Sequence, residues 1–385
     1  MSLAKIALAI LSSLLALTQP GSAHNCSVRP YSSWMADSII SRGQGIAAPG
    51  SNDPSILLQM GVFQAALLQL MKPPAVHCGE QNYELFLQQS TESIIGQISN
   101  ASRDTQFPLD RLSVGRGLLW EFTERGYWYY VYPNWSYLDG MFSLVPFYSL
   151  YTTYFDIENT TAINADIIHQ LDLLWDHCRD NQTGLLFHGY DATKTAVWAN
   201  KVTGASPIVW DRALGWYIMA LVDFLKLTPV PQQSSQWQHV YNRFVALADA
   251  VVKAVDPNTG CWWQVMSFPG RAGNYIESSG SATFTYALYK GVRLGCLGRS
   301  ATPASTYTGV ARRAYQYIVD NFVVHNPNGT LSYNGTVSVC SLNSTANYEY
   351  YVSRPLLYDS VLGSASFVLA SIEHEMTVSN NTSTN

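Results

Sequence analysis

The chain is short of charge. Charged side chains make up 13% of its 385 residues, against roughly 25% in an average globular domain. A formal charge of −5 argues against nucleic acid as a partner, since binding to a phosphate backbone draws on an excess of cations. It does not forbid an anionic sugar, because a few local arginines can hold a carboxylate. No C-x-x-C pair occurs, which weakens zinc and thiol-redox readings. There is no H-E-x-x-H, no nucleophile elbow and no phosphate-binding glycine loop. Glu373-His374-Glu375 lacks metal-ligand spacing, so no metal or other cofactor is expected. Past the first residues no apolar run reaches the roughly 18 residues of a membrane span, and alternating strand patterns are scarce.

The N-terminus reads as an export signal. Lys5 gives a positive start, Ile6 to Leu17 a short apolar run, and Gly21-Ser22-Ala23 the small residues that a signal peptidase needs. Cleavage is expected after Ala23, leaving one catalytic domain over 24–378 and a frayed tail over 379–385. N-x-S/T sequons recur from Asn25 to Asn381, and this density behind a leader points to a secreted, N-glycosylated protein. Glycans would offset the missing surface charge. The six cysteines (Cys26, Cys78, Cys178, Cys261, Cys296 and Cys340) all follow the leader. They could form disulfides in an oxidising compartment, while the helical surroundings of Cys178 and Cys296 also suit buried thiols. A monomer is the expected form.

Helical periodicity dominates the rest. Five segments share a polar or small start followed by an almost wholly apolar helix: Leu109 to Trp120, Leu138 to Phe142, Asp211 to Tyr217, Ser279 to Phe284, and Asp359 to Phe367. A helix that is apolar all round is a buried one. Amphipathic helices lie between these segments and could cover them. The alternation predicts an all-α toroid of helical hairpins, with the N-terminal ends of the buried helices gathered at one mouth. There Asp110, Asp139, Asp211 and Asp359 could meet. The plain alternative is four ordinary N-caps.

Three clusters carry candidate chemistry. The first is the aromatic run Trp128 to Tyr137, which leads into Leu138-Asp139-Gly140. Aromatic faces hold sugar rings, and carboxylates serve as proton donor and water activator when their surroundings set the pKa values. The second is Thr183 to Asp191, in which Gly184 and Gly189 bracket an apolar segment carrying His188. The third joins Trp198-Ala199-Asn200 to Trp210-Asp211-Arg212-Ala213-Leu214-Gly215-Trp216-Tyr217. An arginine opening an apolar helix needs a partner, either an internal one such as Asp211 or an anionic substrate. Trp210 and Trp216 could stack on a ring.

Taken in order, Pro108 to Arg116, Tyr132 to Phe142, Thr183 to Asp191, Trp198 with Trp210 to Tyr217, and Glu277 to Ala282 resemble glycoside hydrolase family 105. These are the unsaturated rhamnogalacturonyl hydrolases and related unsaturated uronyl hydrolases; family 88 is more distant. The resemblance runs from about Trp34 to Glu373. It implies an (α/α)6 barrel and removal of a 4,5-unsaturated uronic acid from the non-reducing end of lyase-generated oligosaccharides, rhamnogalacturonan type first. In that chemistry C4 of a vinyl ether is protonated, water adds at C5, and the hemiketal collapses to release the next sugar. Matched residue by residue, Asp139 falls on the catalytic acid/base and Asp110 on the second active-site aspartate. His188, Arg212 and Trp216 fall on substrate-binding positions. Trp198 matches a further family position near the ring. Two departures stand out: Tyr129 and Tyr130 replace a stretch that often carries a histidine, and Asp211 replaces a residue that is commonly small. The competing readings are a glycosidase or polysaccharide lyase on a similar toroid, and a carbohydrate-binding relative without catalysis.

Overall fold

The computed structural model describes residues 29–48, 51, 53, 55–73, 81–98, 109–115 and 135–382. The expected leader, Cys26, Cys78 and the aromatic run up to Asn134 lie outside the described residues. Eleven helices are named here in chain order. They are α1 (Tyr31–Ser41), α2 (Ile56–Leu70), α3 (Tyr83–Ile98), α4 (Gly140–Phe155), α5 (Thr160–Cys178), α6 (Asp211–Leu227), α7 (Ser235–Lys253), α8 (Ser278–Arg293), α9 (Ala304–Phe322), the short α10 (Tyr348–Val352) and α11 (Val361–Thr382). A 3-10 turn, Leu109–Val114, stands between α3 and α4.

Six of these segments form a closed inner ring. Each packs on the next in the order α2, the 3-10 turn, α4, α6, α8, α11 and back to α2. Their composition dictates the place. Every residue of α6 from Asp211 to Leu225, and of α8 from Ser278 to Gly291, is buried, as befits helices without a polar stripe. Small residues let the ring close: a Cβ on Gly215 would lie 2.0 Å from Thr283 Oγ1, so α6 and α8 approach closely only with glycine there. Among the described residues, the outer layer is α1, α3, α5, α7 and α9, each against an inner neighbour. These helices bury one face only. On α7 that face is Trp237, Val240, Phe244, Leu247, Ala248 and Val251, and fully burying each large side chain contributes about 1.5–3 kcal/mol. The protein is an (α/α)6 barrel.

The ring contains the five segments singled out in the sequence and one more. α2 is buried over most of its length and has a polar start in Asp53 and Ser55, but the sequence reading did not group it with the others. α11 runs to Thr382, into the segment expected to fray. Cys178, Cys261, Cys296 and Cys340 are buried free thiols, so the disulfide alternative does not apply to them. The sequon asparagines Asn159, Asn181, Asn328, Asn334 and Asn343 are exposed. No described helix is long and apolar enough to cross a membrane.

Among the described residues, three two-stranded antiparallel ladders decorate the barrel. One matters for the site. β1 (Trp135–Tyr137) pairs with β2 (Gly189–Asp191), with Tyr137 opposite Gly189. One step on, Leu138 N–H donates to His188 O at 3.0 Å. A Cβ on Gly189 would sit 2.3 Å from Ser136 O, so glycine is required for the strands to come this close. The ladder therefore sets Asp139, just past β1, beside His188, just before β2.

Candidate active site

Asp139 is the residue before α4, yet its carboxylate makes no capping bond to that helix. It reaches His188 instead, with Oδ2 2.9 Å from Nε2. The ordinary N-cap reading thus fails for Asp139. His188 is fully buried while the Asp139 side chain keeps 14% exposure, so the carboxylate is the end of the pair that faces outward. The other ring nitrogen, Nδ1, lies 2.6 Å from the Tyr351 hydroxyl. Burial holds the Tyr351 hydroxyl well above the ordinary tyrosine range, so it stays a donor. The tautomer that satisfies both contacts has a bare Nδ1 accepting from Tyr351 and an Nε2–H donating to Asp139. Tyr137, Trp210 and Tyr351 pack their rings around the imidazole at centroid distances of 5.6, 4.9 and 5.9 Å, which fixes its plane. Trp210 Nε1 donates to Gln264 Oε1, and Gln264 Nε2 donates to Tyr351 O, tying the surround together.

Asp110 sits in the 3-10 turn, partly buried. Burial pushes its carboxyl up, and the charge of Asp139 pushes it further, to about 7, while Arg212 pulls it back. The Asp139 charge raises the cost of ionising Asp110. A carboxyl that keeps its proton up to near neutrality, beside a carboxylate oriented by His188, has the make-up of an acid and a base.

The remaining sequence candidates are spread around this pair. Arg212 is 1% exposed. Its Nη1 donates to Val337 O at 2.6 Å and Ser279 Oγ at 3.3 Å, and its Nη2 to Ser338 O at 2.7 Å. The guanidinium also lies over the Trp210 ring at 4.7 Å. The expected choice between Asp211 and an anion is answered differently. The nearest carboxylate is Glu277, 4.0 Å from Nη1, and both terminal nitrogens already serve the loop over 337–338. A free bidentate fork for a substrate carboxylate is therefore not what Arg212 presents. Trp216 is fully buried against Phe142, so neither ring face is open for stacking, and its indole N–H has no acceptor among the described residues. Trp210 is 1% exposed, likewise without a free face. Trp198 donates its indole N–H to Leu342 O at 2.7 Å and meets the half-buried Trp135 edge to face at 5.2 Å. Asp359 lies away from the pair. Its carboxylate accepts from Tyr333 N and Ser332 Oγ, and its φ of 57° is one that aspartate tolerates better than most residues.

Two residues of the site carried no role in the sequence reading. Tyr351 belongs to α10, a short helix outside every motif, and its contact with His188 spans 163 positions. Glu277 lay inside a quoted motif, and its position before a buried helix after a polar run was the available signal. Among the described residues no group of His, Cys, Asp or Glu is placed to hold a metal ion.

Comparison with known proteins decides the family. The family model of Glycosyl Hydrolase Family 88 matches residues 78–378. The chain belongs to this glycoside hydrolase family. A curated protein of Agrobacterium fabrum, Protein Atu3128, is 34% identical over 196 residues, covering 49% of this chain and 82% of its own. Among solved structures, a family 105 glycoside hydrolase of C. acetobutylicum superposes with a TM-score of 0.71 and 27% identity, covering 90% of this chain and 100% of its own. An unsaturated glucuronyl hydrolase of Bacillus sp. GL1 shares the fold at a TM-score of 0.56 and 11% identity, over 91% and 96% of the two chains. The resemblance to family 105, with family 88 more distant, stands.

Proposed function

We propose that this glycoside hydrolase removes a 4,5-unsaturated uronic acid from the non-reducing end of lyase-generated oligosaccharides, rhamnogalacturonan type first. The observation that carries the reading is the Asp110–Asp139 pair, in which one carboxyl is held to about 7 and the other is oriented by His188 at 2.9 Å. Hydration of a vinyl ether needs both forms. A protonated carboxyl gives its proton to C4, and the C4=C5 electron pair forms that C–H bond. The cation left at C5 is shared with the ring oxygen. Water adds at C5 and loses a proton to the carboxylate, which restores the pair. The hemiketal then opens and the next sugar leaves with a proton.

In this reading Asp139 is the acid and base, with Oδ2 engaged by His188 and Oδ1 left for the substrate; Asp110 supplies the second carboxyl. The edge of Trp198 with Trp135 suits a wall beside the ring. Arg212 attracts the uronate by its charge and holds the loop over 337–338, while Trp210 and His188 support the site from beneath. Secretion, N-glycosylation and a monomeric state belong to the same proposal, supported by the N-terminal apolar run and the exposed sequons.

A panel of defined lyase products, followed by the ultraviolet absorbance of the C4=C5 double bond, tests the assignment. Absorbance falls if the proposal holds. A rise with saturated polysaccharide would identify a lyase instead, and no change across the panel would leave a carbohydrate-binding protein.

A further inference from the structure

Behind the catalytic candidates lies a second pair of carboxyl groups. Asp211, the first residue of α6, and Glu277, which caps α8, are both wholly inaccessible, and their side chains are in hydrogen-bond contact. The surroundings treat the two acids differently. The Glu277 carboxylate is richly served: it accepts from Gly280 N–H at 2.7 Å, Ser279 Oγ at 2.8 and 2.9 Å, and Val337 N–H at 3.0 Å. Arg212 Nη1 stands 4.0 Å away. Asp211 Oδ1 accepts one bond, from Arg212 N–H at 2.7 Å. Its Oδ2 is buried with no donor among the described residues. There is no room for water on the Gly280 side either, since a mere Cβ there would lie 2.3 Å from Oδ2.

A buried carboxylate oxygen without a donor and beside another carboxylate has no favourable state except the protonated one. We infer that Asp211 is a neutral carboxylic acid in the folded protein, its Oδ2–H donating to Glu277, and that it acts as a positioning residue for Glu277 and Arg212. The charges then close: one carboxylate on Glu277 and one guanidinium on Arg212, with Asp211 contributing a donor and no charge. The other titratable groups facing Asp211 are Tyr275 and Cys340, neither a cation. The inferred state agrees with the electrostatics, since burial first and the Glu277 charge second hold the Asp211 carboxyl well above its ordinary range. The consequence is architectural. Arg212 stays free to donate to Val337 O and Ser338 O, so the loop over 337–338 is pinned to the N-terminal ends of α6 and α8. The inference is independent of the substrate.

The test is Asp211→Asn, whose amide supplies the same donor permanently. The sign follows from linkage. An acid with a raised folded pKa adds stability that is complete below its unfolded pKa and lost as pH climbs toward the folded one. Asparagine has no such loss. The variant is expected to melt at or above the wild-type temperature at neutral pH, with an advantage that grows in alkaline buffer. A variant less stable than wild type at every pH would overturn the inference, because that is the signature of an ionised Asp211 paired with Arg212. If the variant does not fold, infrared spectroscopy of the wild type decides. A protonated-carboxyl band must persist in alkaline D2O after Asp110 and Glu375, both raised to about 7, have ionised. Its disappearance together with theirs would refute the inference.

Discussion

Tyr351→Phe isolates the orientation of the His188–Asp139 pair. The substitution keeps the ring that packs against His188 and Trp210 and removes one oxygen. That oxygen makes the 2.6 Å contact to His188 Nδ1 in surroundings with no exposure. Without it, Nδ1 is buried and unsatisfied, a cost of about 1–3 kcal/mol. The imidazole relieves the cost by moving its proton to Nδ1 or by turning. Either way the Nε2–H that orients Asp139 is lost. If the whole bond is felt in the transition state, about 1.4 kcal/mol per tenfold converts the loss to roughly 5- to 150-fold in kcat. KM should change little, because no substrate contact is removed. Melting should fall by roughly 1–2 °C for each kcal/mol lost in a chain of this size. Steady-state kinetics on an unsaturated oligosaccharide, beside a thermal melt, reads both. An unchanged kcat with a lowered melting temperature would refute the reasoning by showing that the hydroxyl only fills space.

Three further outcomes follow from the same geometry. Asp110→Asn removes a carboxyl held to about 7; its stabilising share is complete below the unfolded pKa and lost as pH rises through about 7, so the variant should gain stability over wild type in alkaline buffer while losing turnover, as melts across pH would show. Arg212→Ala leaves Glu277 buried and uncompensated, which costs about 3–5 kcal/mol; denaturant unfolding should show that loss, and a stability within about 1 kcal/mol of wild type would mean that the pair is not what holds α6 to α8. Gly189→Ala drives a Cβ against Ser136 O and should separate β1 from β2, lowering turnover and stability together, whereas unimpaired turnover would deny the ladder its registering role.

Much of this was legible in the sequence. The apolar stretches around Gly140, Arg212, Thr283 and Ser364 announced inner helices because nothing in them suits a surface. Asp139 and His188 were legible as motif residues. Their mutual contact was not, because it depends on a three-residue ladder too short to show an alternating pattern. α2 was legible as a helix but was not grouped with the ring members, although Asp53 and Ser55 give it the same polar start. Tyr351 was invisible because its partner is distant in sequence and its own segment has no apolar period. Arg212 was read as needing a partner, either an internal one such as its neighbour Asp211 or an anionic substrate. The fold supplied Glu277 from the next inner helix and two backbone carbonyls from farther along, a choice that only the side-by-side packing of α6 and α8 makes available.

The central claim is that the carboxylate of Asp139 moves the proton. Asp139→Asn keeps the shape and an acceptor for His188 Nε2–H, and removes the acid. Measured as loss of double-bond absorbance on an unsaturated uronyl disaccharide, turnover should fall by about 10²–10⁴-fold in a variant that melts like wild type. A folded variant retaining more than about a tenth of wild-type turnover would contradict the claim, since proton transfer by a positioned group is worth far more than that.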